Sequence, residues 1–122
     1  MNKTAHILLA HGSRDPNWRA TLEAVAQRLN RDEQPARCAY LELCEPTLLQ
    51  AASTLAEQGC HTLRITPMFL GLGQHARTDI PVLCDRLQHA LPQVQVQLRP
   101  ALCDMPGFVD VLSALLGGGA HA

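Results

Sequence analysis

Aromatic residues make up only 3% of this 122-residue chain: one Trp, one Tyr and two Phe. A core formed by it must therefore be built from Leu, Val, Ile and Ala. Charge of one sign is also lacking. The formal net charge is -1, which leaves no field to hold a nucleic acid or an anionic membrane, although a few placed arginines can still bind an anionic small molecule. The five cysteines, Cys38, Cys44, Cys60, Cys84 and Cys103, contain no C-x-x-C pair, which excludes a readable zinc ribbon or dithiol redox motif. They read as buried free thiols in a reducing cytoplasm. No apolar run is long enough to span a membrane, and the run after Met1-Asn2-Lys3-Thr4 is too short for a signal peptide. G-x-x-x-x-G-K-[ST] is missing, so nothing argues for ATP. No G-x-G-x-x-G follows the first strand, so the dinucleotide fingerprint is absent too.

With 47% hydrophobic and 17% charged residues, the chain has the balance of one globular domain, read here over residues 1–116. The remaining Gly117-Gly118-Gly119-Ala120-His121-Ala122 reads as a frayed tail. The organising stretch is Ile7-Leu8-Leu9-Ala10-His11-Gly12-Ser13-Arg14-Asp15-Pro16. A short apolar run halts at a histidine, a glycine and a polar turn. Asp15 can then cap a helix whose first turn suits Pro16. That is the carboxyl end of a strand in a parallel α/β sheet, where ligand sites collect.

The rest of the chain repeats the alternation. Trp18, Leu22, Val25 and Leu29 recur at helical spacing. Residues 36–43 read as a second strand ending in Leu41-Glu42-Leu43, and Pro46 opens a second helix with Leu48, Ala52 and Leu55 inward. Gly59 closes that helix as a left-handed cap. Residues 62–66 read as a third strand whose Thr62, Arg64 and Thr66 call for a partly solvated face or a subunit contact. The third helix carries Ile80, Leu83, Leu87 and Leu91, with Pro81 placed early enough to be tolerated. Val94, Val96 and Leu98 alternate as in a half-exposed edge strand. Asp104 is positioned to cap a last helix bearing Phe108, Val109, Leu112 and Leu115. Right-handed crossovers turn this order into an α/β fold with a four-stranded parallel sheet and helices on both faces.

The topology sends three polar side chains to one sheet edge: His11 after the first strand, Glu42 at the end of the second, and His75 beyond the third. A neutral imidazole accepts a proton near pH 7 and ligates divalent cobalt, nickel, iron or zinc. Two imidazoles and a carboxylate facing one pocket suit metal handling or proton transfer. His6, His61, His89 and His121 read as bystanders, His89 within a helix and His121 in the tail. Gly12-Ser13-Arg14 is either an ordinary capping turn or an anion site using backbone N–H groups and the guanidinium. The loop Met68-Phe69-Leu70-Gly71-Leu72 is too apolar for a plain surface connection. It is packed under its neighbours or walls a cleft for a flat, greasy ring.

Three blocks together carry a resemblance: residues 8–16, then Tyr40-Leu41-Glu42-Leu43 with Glu45-Pro46, then Pro67-Met68-Phe69-Leu70 with Gly73, His75 and Asp79-Ile80-Pro81. In that order and spacing the chain resembles the sirohydrochlorin chelatases, and among them the short form of the CbiX-type cobaltochelatases. From Val82 onward the likeness is only to a generic β-α unit, and Ala76 stands where a valine is common. The resemblance implies a single-lobe, flavodoxin-like domain that works as a cytoplasmic homodimer. It implies an ATP-independent class II chelatase inserting a divalent metal into sirohydrochlorin, in cobalamin or siroheme synthesis. The metal would be cobalt, or else iron or nickel, with no cofactor beyond that substrate ion. The family's two active-site histidines fall on His11 and His75, which would hold the metal, and its acidic residue on Glu42. Ser13, Arg14, Met68, Phe69, Leu70 and Gly71 would meet the tetrapyrrole, with Arg14 and Arg77 toward its peripheral carboxylates. Two rivals remain at this stage. One is a carrier of metal or tetrapyrrole without turnover. The other is a histidine phosphatase, disfavoured because Ala10 stands where those enzymes place arginine before the histidine.

Overall fold

The structure, a computed structural model, describes residues 3–118. The elements are β1 (Lys3–Ala10), α1 (Pro16–Arg31), β2 (Ala36–Tyr40), α2 (Leu48–Glu57), β3 (Cys60–Pro67), α3 (Gln74–Ala90), β4 (Gln95–Leu98), a 3-10 turn (Leu102–Asp104) and α4 (Phe108–Gly117). The four strands pair in parallel in the order β2-β1-β3-β4, the α/β architecture expected from the sequence. Helix α4 reaches one residue into the expected tail, and residues 119–122, His121 among them, lie outside the described residues.

Strand periodicity divides the apolar side chains between two layers. Ala5, Ile7 and Leu9 of β1, with Leu63 and Ile65 of β3, point to the side covered by α2 and α3, where Ala51, Leu55, Ile80 and Leu87 meet them. Leu8 and Ala10, with Ala36, Cys38 and Tyr40 of β2, point to the other side, against Leu22, Ala26 and Leu29 of α1. These strand side chains are aliphatic or cysteine except for Tyr40, so the layers against the sheet are filled with little aromatic bulk.

Several boundaries differ from the expectation. Strand β2 stops at Tyr40 rather than Leu43, because the chain bends at residues 41–45 and Leu43 adopts φ 72°. Helix α2 begins at Leu48 rather than Pro46. Thr47 caps it by accepting the Gln50 N–H at 3.2 Å, while the Gln50 side chain accepts the Thr47 N–H at 2.8 Å. Gly59 takes the expected left-handed conformation, φ 91°. Pro81 is the eighth residue of α3, so the helix runs through it rather than tolerating it in the first turn.

Two apolar stripes are also less buried than their spacing suggests. Helix α1 turns Leu22, Ala26 and Leu29 to the sheet, which leaves Trp18 and Val25 on its flank, 49% and 41% exposed. Helix α4 has no buried residue: Val109 and Leu115 face solvent, with Phe108 and Leu112 only half-buried. Asp104 does not cap α4. It lies in the 3-10 turn, and Gly107 at φ 87° occupies the cap. On β3, Thr62 and Arg64 are half-buried, as the polar alternation implied, but Thr66 is buried, and the Arg64 Nε is enclosed with no hydrogen-bond partner among the described residues. Strand β4 is the half-exposed edge its alternation implied, with Leu98 still largely accessible.

Candidate active site at the carboxyl edge of the sheet

The site begins where the β1–β2 ladder runs past its own strands. Beyond Ala10 and Tyr40, the Leu41 N–H still donates to the Ala10 carbonyl at 2.9 Å, and the Glu42 N–H donates to the His11 carbonyl at 3.0 Å. These bonds hold the two strand tips side by side. They also require Gly12: it sits at φ 115°, and a Cβ there would collide with the Glu42 carbonyl oxygen.

This backbone arrangement brings His11 and Glu42 together. The imidazole Nε2 and the carboxylate Oε1 are 2.8 Å apart, with both side chains a little over half exposed. When Nε2 carries the proton, it donates to Glu42 and leaves the Nδ1 lone pair open toward solvent. A carboxylate behind a histidine in this way fixes the tautomer and the ring orientation. The pair thus offers a proton acceptor and oxygen and nitrogen donors to a divalent ion.

His75 lies at the same edge, exposed, as the second residue of α3. It does not complete a cluster with the first two: among the described residues, no group of three or more His, Cys, Asp or Glu side chains could hold a metal ion. Two other imidazoles make their contacts elsewhere. His6 bonds Gln34 at 3.1 Å, and His89 bonds the Asp85 carbonyl at 2.8 Å.

The turn after His11 is partly committed. Ser13 Oγ accepts the Asp15 N–H at 3.1 Å, Asp15 Oδ1 accepts the Asn17 N–H at 2.9 Å, and Arg19 donates to the Ser13 carbonyl at 2.8 Å. These bonds describe a helix-capping turn. Arg14 is exposed beside it and enters no salt bridge among the described residues. Arg77, expected toward the peripheral carboxylates of the tetrapyrrole, pairs with Asp104 at 3.1 Å, and that carboxylate holds the guanidinium further above its ordinary pKa.

The apolar loop splits between the two layers. Met68 packs on the α1 side, Phe69 and Leu72 pack on the α3 side, Gly71 is exposed, and Leu70 is 73% exposed. Met68 borders an open groove of about 270 Å³ with Ala10, Trp18, Leu22, Val25 and Leu102. It starts one residue from His11. The sequence reading missed Trp18 as a groove residue because its spacing matched the inward stripe. A larger depression of about 730 Å³ lies along α1 between Thr21 and Arg31, toward the helix end remote from His11.

The chain is similar to known proteins over most of its length. The CbiX family model matches residues 5–117. A sirohydrochlorin cobaltochelatase of Methanopyrus kandleri is 37% identical over 79 residues, which are 63% of this chain and 55% of that protein. A CbiX protein assigned to cobalamin (vitamin B12) biosynthesis in Marinobacter aquaeolei superposes with a TM-score of 0.83 at 30% identity, covering 95% of this chain and 96% of that one. SirB from Bacillus subtilis, solved with Fe3+, superposes with a TM-score of 0.68 at 27% identity, covering 80% of this chain and 40% of the longer SirB chain. The chain therefore spans about half the length of some relatives and the whole of others, and across the stretch from the first strand to the last helix it belongs to the CbiX family.

Proposed function

We propose that this chain inserts a divalent metal ion into sirohydrochlorin without ATP, as a class II chelatase. Cobalt is the first substrate metal, with iron and nickel as further candidates, in cobalamin or siroheme synthesis. The carrying observation is the half-exposed His11–Glu42 pair at 2.8 Å, at the sheet edge of a CbiX-family domain. The Methanopyrus relative is named a cobaltochelatase, and SirB was solved with iron, which supports a site for either metal.

Insertion needs the incoming ion to shed water and two pyrrole N–H groups to lose their protons. In this reading Glu42 orients His11 through Nε2, and His11 presents Nδ1 to the metal or to the first proton. Glu42 takes the second proton, and His75 approaches the metal from α3. Two or three protein donors leave coordination positions open, so the pyrrole nitrogens can replace them in turn. A metal that must be passed on is better served by such a partial set than by a closed cage. Leu70 and Gly71 face the macrocycle and Met68 lines the groove beside it, while Phe69, packed toward α3, backs the loop; Ser13 and Arg14 meet the peripheral carboxylates. The working form is a homodimer in the cytoplasm, with residues 1–116 as the chelatase unit and 117–122 as a tail. No helix among the described residues is long and apolar enough to cross a membrane.

The test is the absorbance change of sirohydrochlorin under anaerobic conditions, with cobalt, nickel and ferrous iron offered in turn against enzyme-free controls. Accelerated insertion is expected, fastest with cobalt. Tight stoichiometric binding of the pigment at the spontaneous rate would make the protein a carrier instead.

A further inference from the structure

Two contacts tie the 3-10 turn to the segment that presents His75. The first is ionic: Arg77 Nη1 and Nη2 lie 3.1 and 3.4 Å from the two carboxylate oxygens of Asp104. This two-pronged pairing matches the planar fork of a guanidinium. The second is a backbone bond, from the Cys103 N–H to the Phe69 carbonyl at 3.1 Å. Phe69 is the second residue of the β3–α3 loop, and Arg77 lies in the first turn of α3, two residues after His75. The turn thus grips the segment on both sides of His75.

Apart from Phe69, Leu72 and Ala76, which rest against the core, the segment has few ties. Glycines stand at 71 and 73, Leu70 projects into solvent, and the cap at Gly73 makes no side-chain hydrogen bond. The ion pair is half exposed, and such pairs add little to global stability. Its geometric effect is separate from its stability: a ligand or base acts only when held within about 0.5 Å of its productive position.

We propose that Arg77 and Asp104 are positioning residues that hold the His75 imidazole in reach of the substrate metal. Arg77 acts on Asp104 and not on the carboxylates of the tetrapyrrole. The inference rests on the chelatase reading of His75 given above.

The experiment compares R77M, D104A and the charge-swapped R77D/D104R in steady-state cobalt insertion, together with backbone amide exchange. Each single variant should lower kcat about 5- to 20-fold while leaving KM for sirohydrochlorin within about twofold. The swapped pair should restore kcat to within about threefold. In D104A, the Arg77 and Cys103 amides should exchange faster while those of Leu63 and Ile65 do not change. The reverse split overturns the proposal: KM rising in R77M at constant kcat, KM steady or lower in D104A, and no recovery in the swap would make Arg77 a carboxylate-binding residue. Unchanged kinetics in both single variants overturn it as well. If the wild type inserts no metal, the chelatase reading fails and the His75 role falls with it. Amide exchange in D104A then reports separately whether the pair fixes the segment.

Discussion

No side chain fits between Gly12 and the carbonyl oxygen of Glu42. The glycine therefore sets how closely the tip carrying His11 approaches the tip carrying Glu42. Gly12→Ala is expected to destabilise the fold by about 1–3 kcal/mol, because the φ of 115° is strained for any other residue and the new methyl meets backbone. Turnover should fall as well, by about 10- to 100-fold, since the 2.8 Å His11–Glu42 contact opens. Urea titration and the insertion assay on one preparation check both. An active, fully stable G12A would show that the two tips are set by something else.

Glu42→Gln keeps a hydrogen-bonding group opposite His11 but removes its charge. Insertion is expected to drop about tenfold, and in Glu42→Ala about a hundredfold. The melting temperature should barely move, because a pair with both partners over half exposed contributes at most about 1 kcal/mol. Equal rates for Glu42→Gln and wild type would take the carboxylate out of the chemistry.

His75→Ala should abolish measurable insertion while leaving the fold intact, since the side chain is exposed in the first turn of α3. Circular dichroism and the pigment assay separate the two effects. Retained turnover would leave metal delivery to His11 and Glu42.

Trp18 is half exposed along the groove beside Ala10. Trp18→Ala is expected to raise KM for sirohydrochlorin about 3- to 10-fold with a smaller change in kcat, the pattern of lost uniform binding to a flat ring. Unchanged KM would turn the groove over to another use.

Burial pushes the Cys38 and Cys84 thiols up to about 11, from an ordinary value of 9.0. The unfolded chain then releases these protons first. Stability should stay level below about pH 9 and fall between about 9 and 11, as the unfolded state gains thiolate that the core refuses. Tyr40, buried behind Cys38 and facing Glu23, is pushed upward as well and adds to the loss at higher pH. Denaturant midpoints at pH 7, 9 and 10 check this, with the fall expected to be shallower in C38A/C84A. An equally steep fall in that variant would place the titration elsewhere.

The strand-to-histidine turn at His11 was legible because an apolar run that stops at a glycine has few structural readings. The meeting of His11 with Glu42 was legible only as a shared edge. Its closeness depends on a bend in which Leu43, not a glycine, takes φ 72°, and local sequence gives no sign of that. Trp18 matched an inward stripe because helical spacing fixes relative angles, not which side of the stripe the sheet takes. The Arg77–Asp104 pair spans 27 residues between exposed charges, and such partners leave no periodicity to read. Asp104 consequently looked like a cap, since an acidic residue shortly before an apolar helix usually is one.

Helix α4 gives the chain a graded native state. None of its residues is buried, whereas every strand except β4 carries fully enclosed side chains, so releasing residues 108–117 costs far less free energy than melting the sheet. Brief protease treatment should therefore trim the chain near Gly107 and leave a cooperative β2-β1-β3-β4 body still able to unfold in one step. The apolar helix so released, with Val109, Val111, Leu115 and Leu116 bare to water, is the part of this protein most prone to associate on storage.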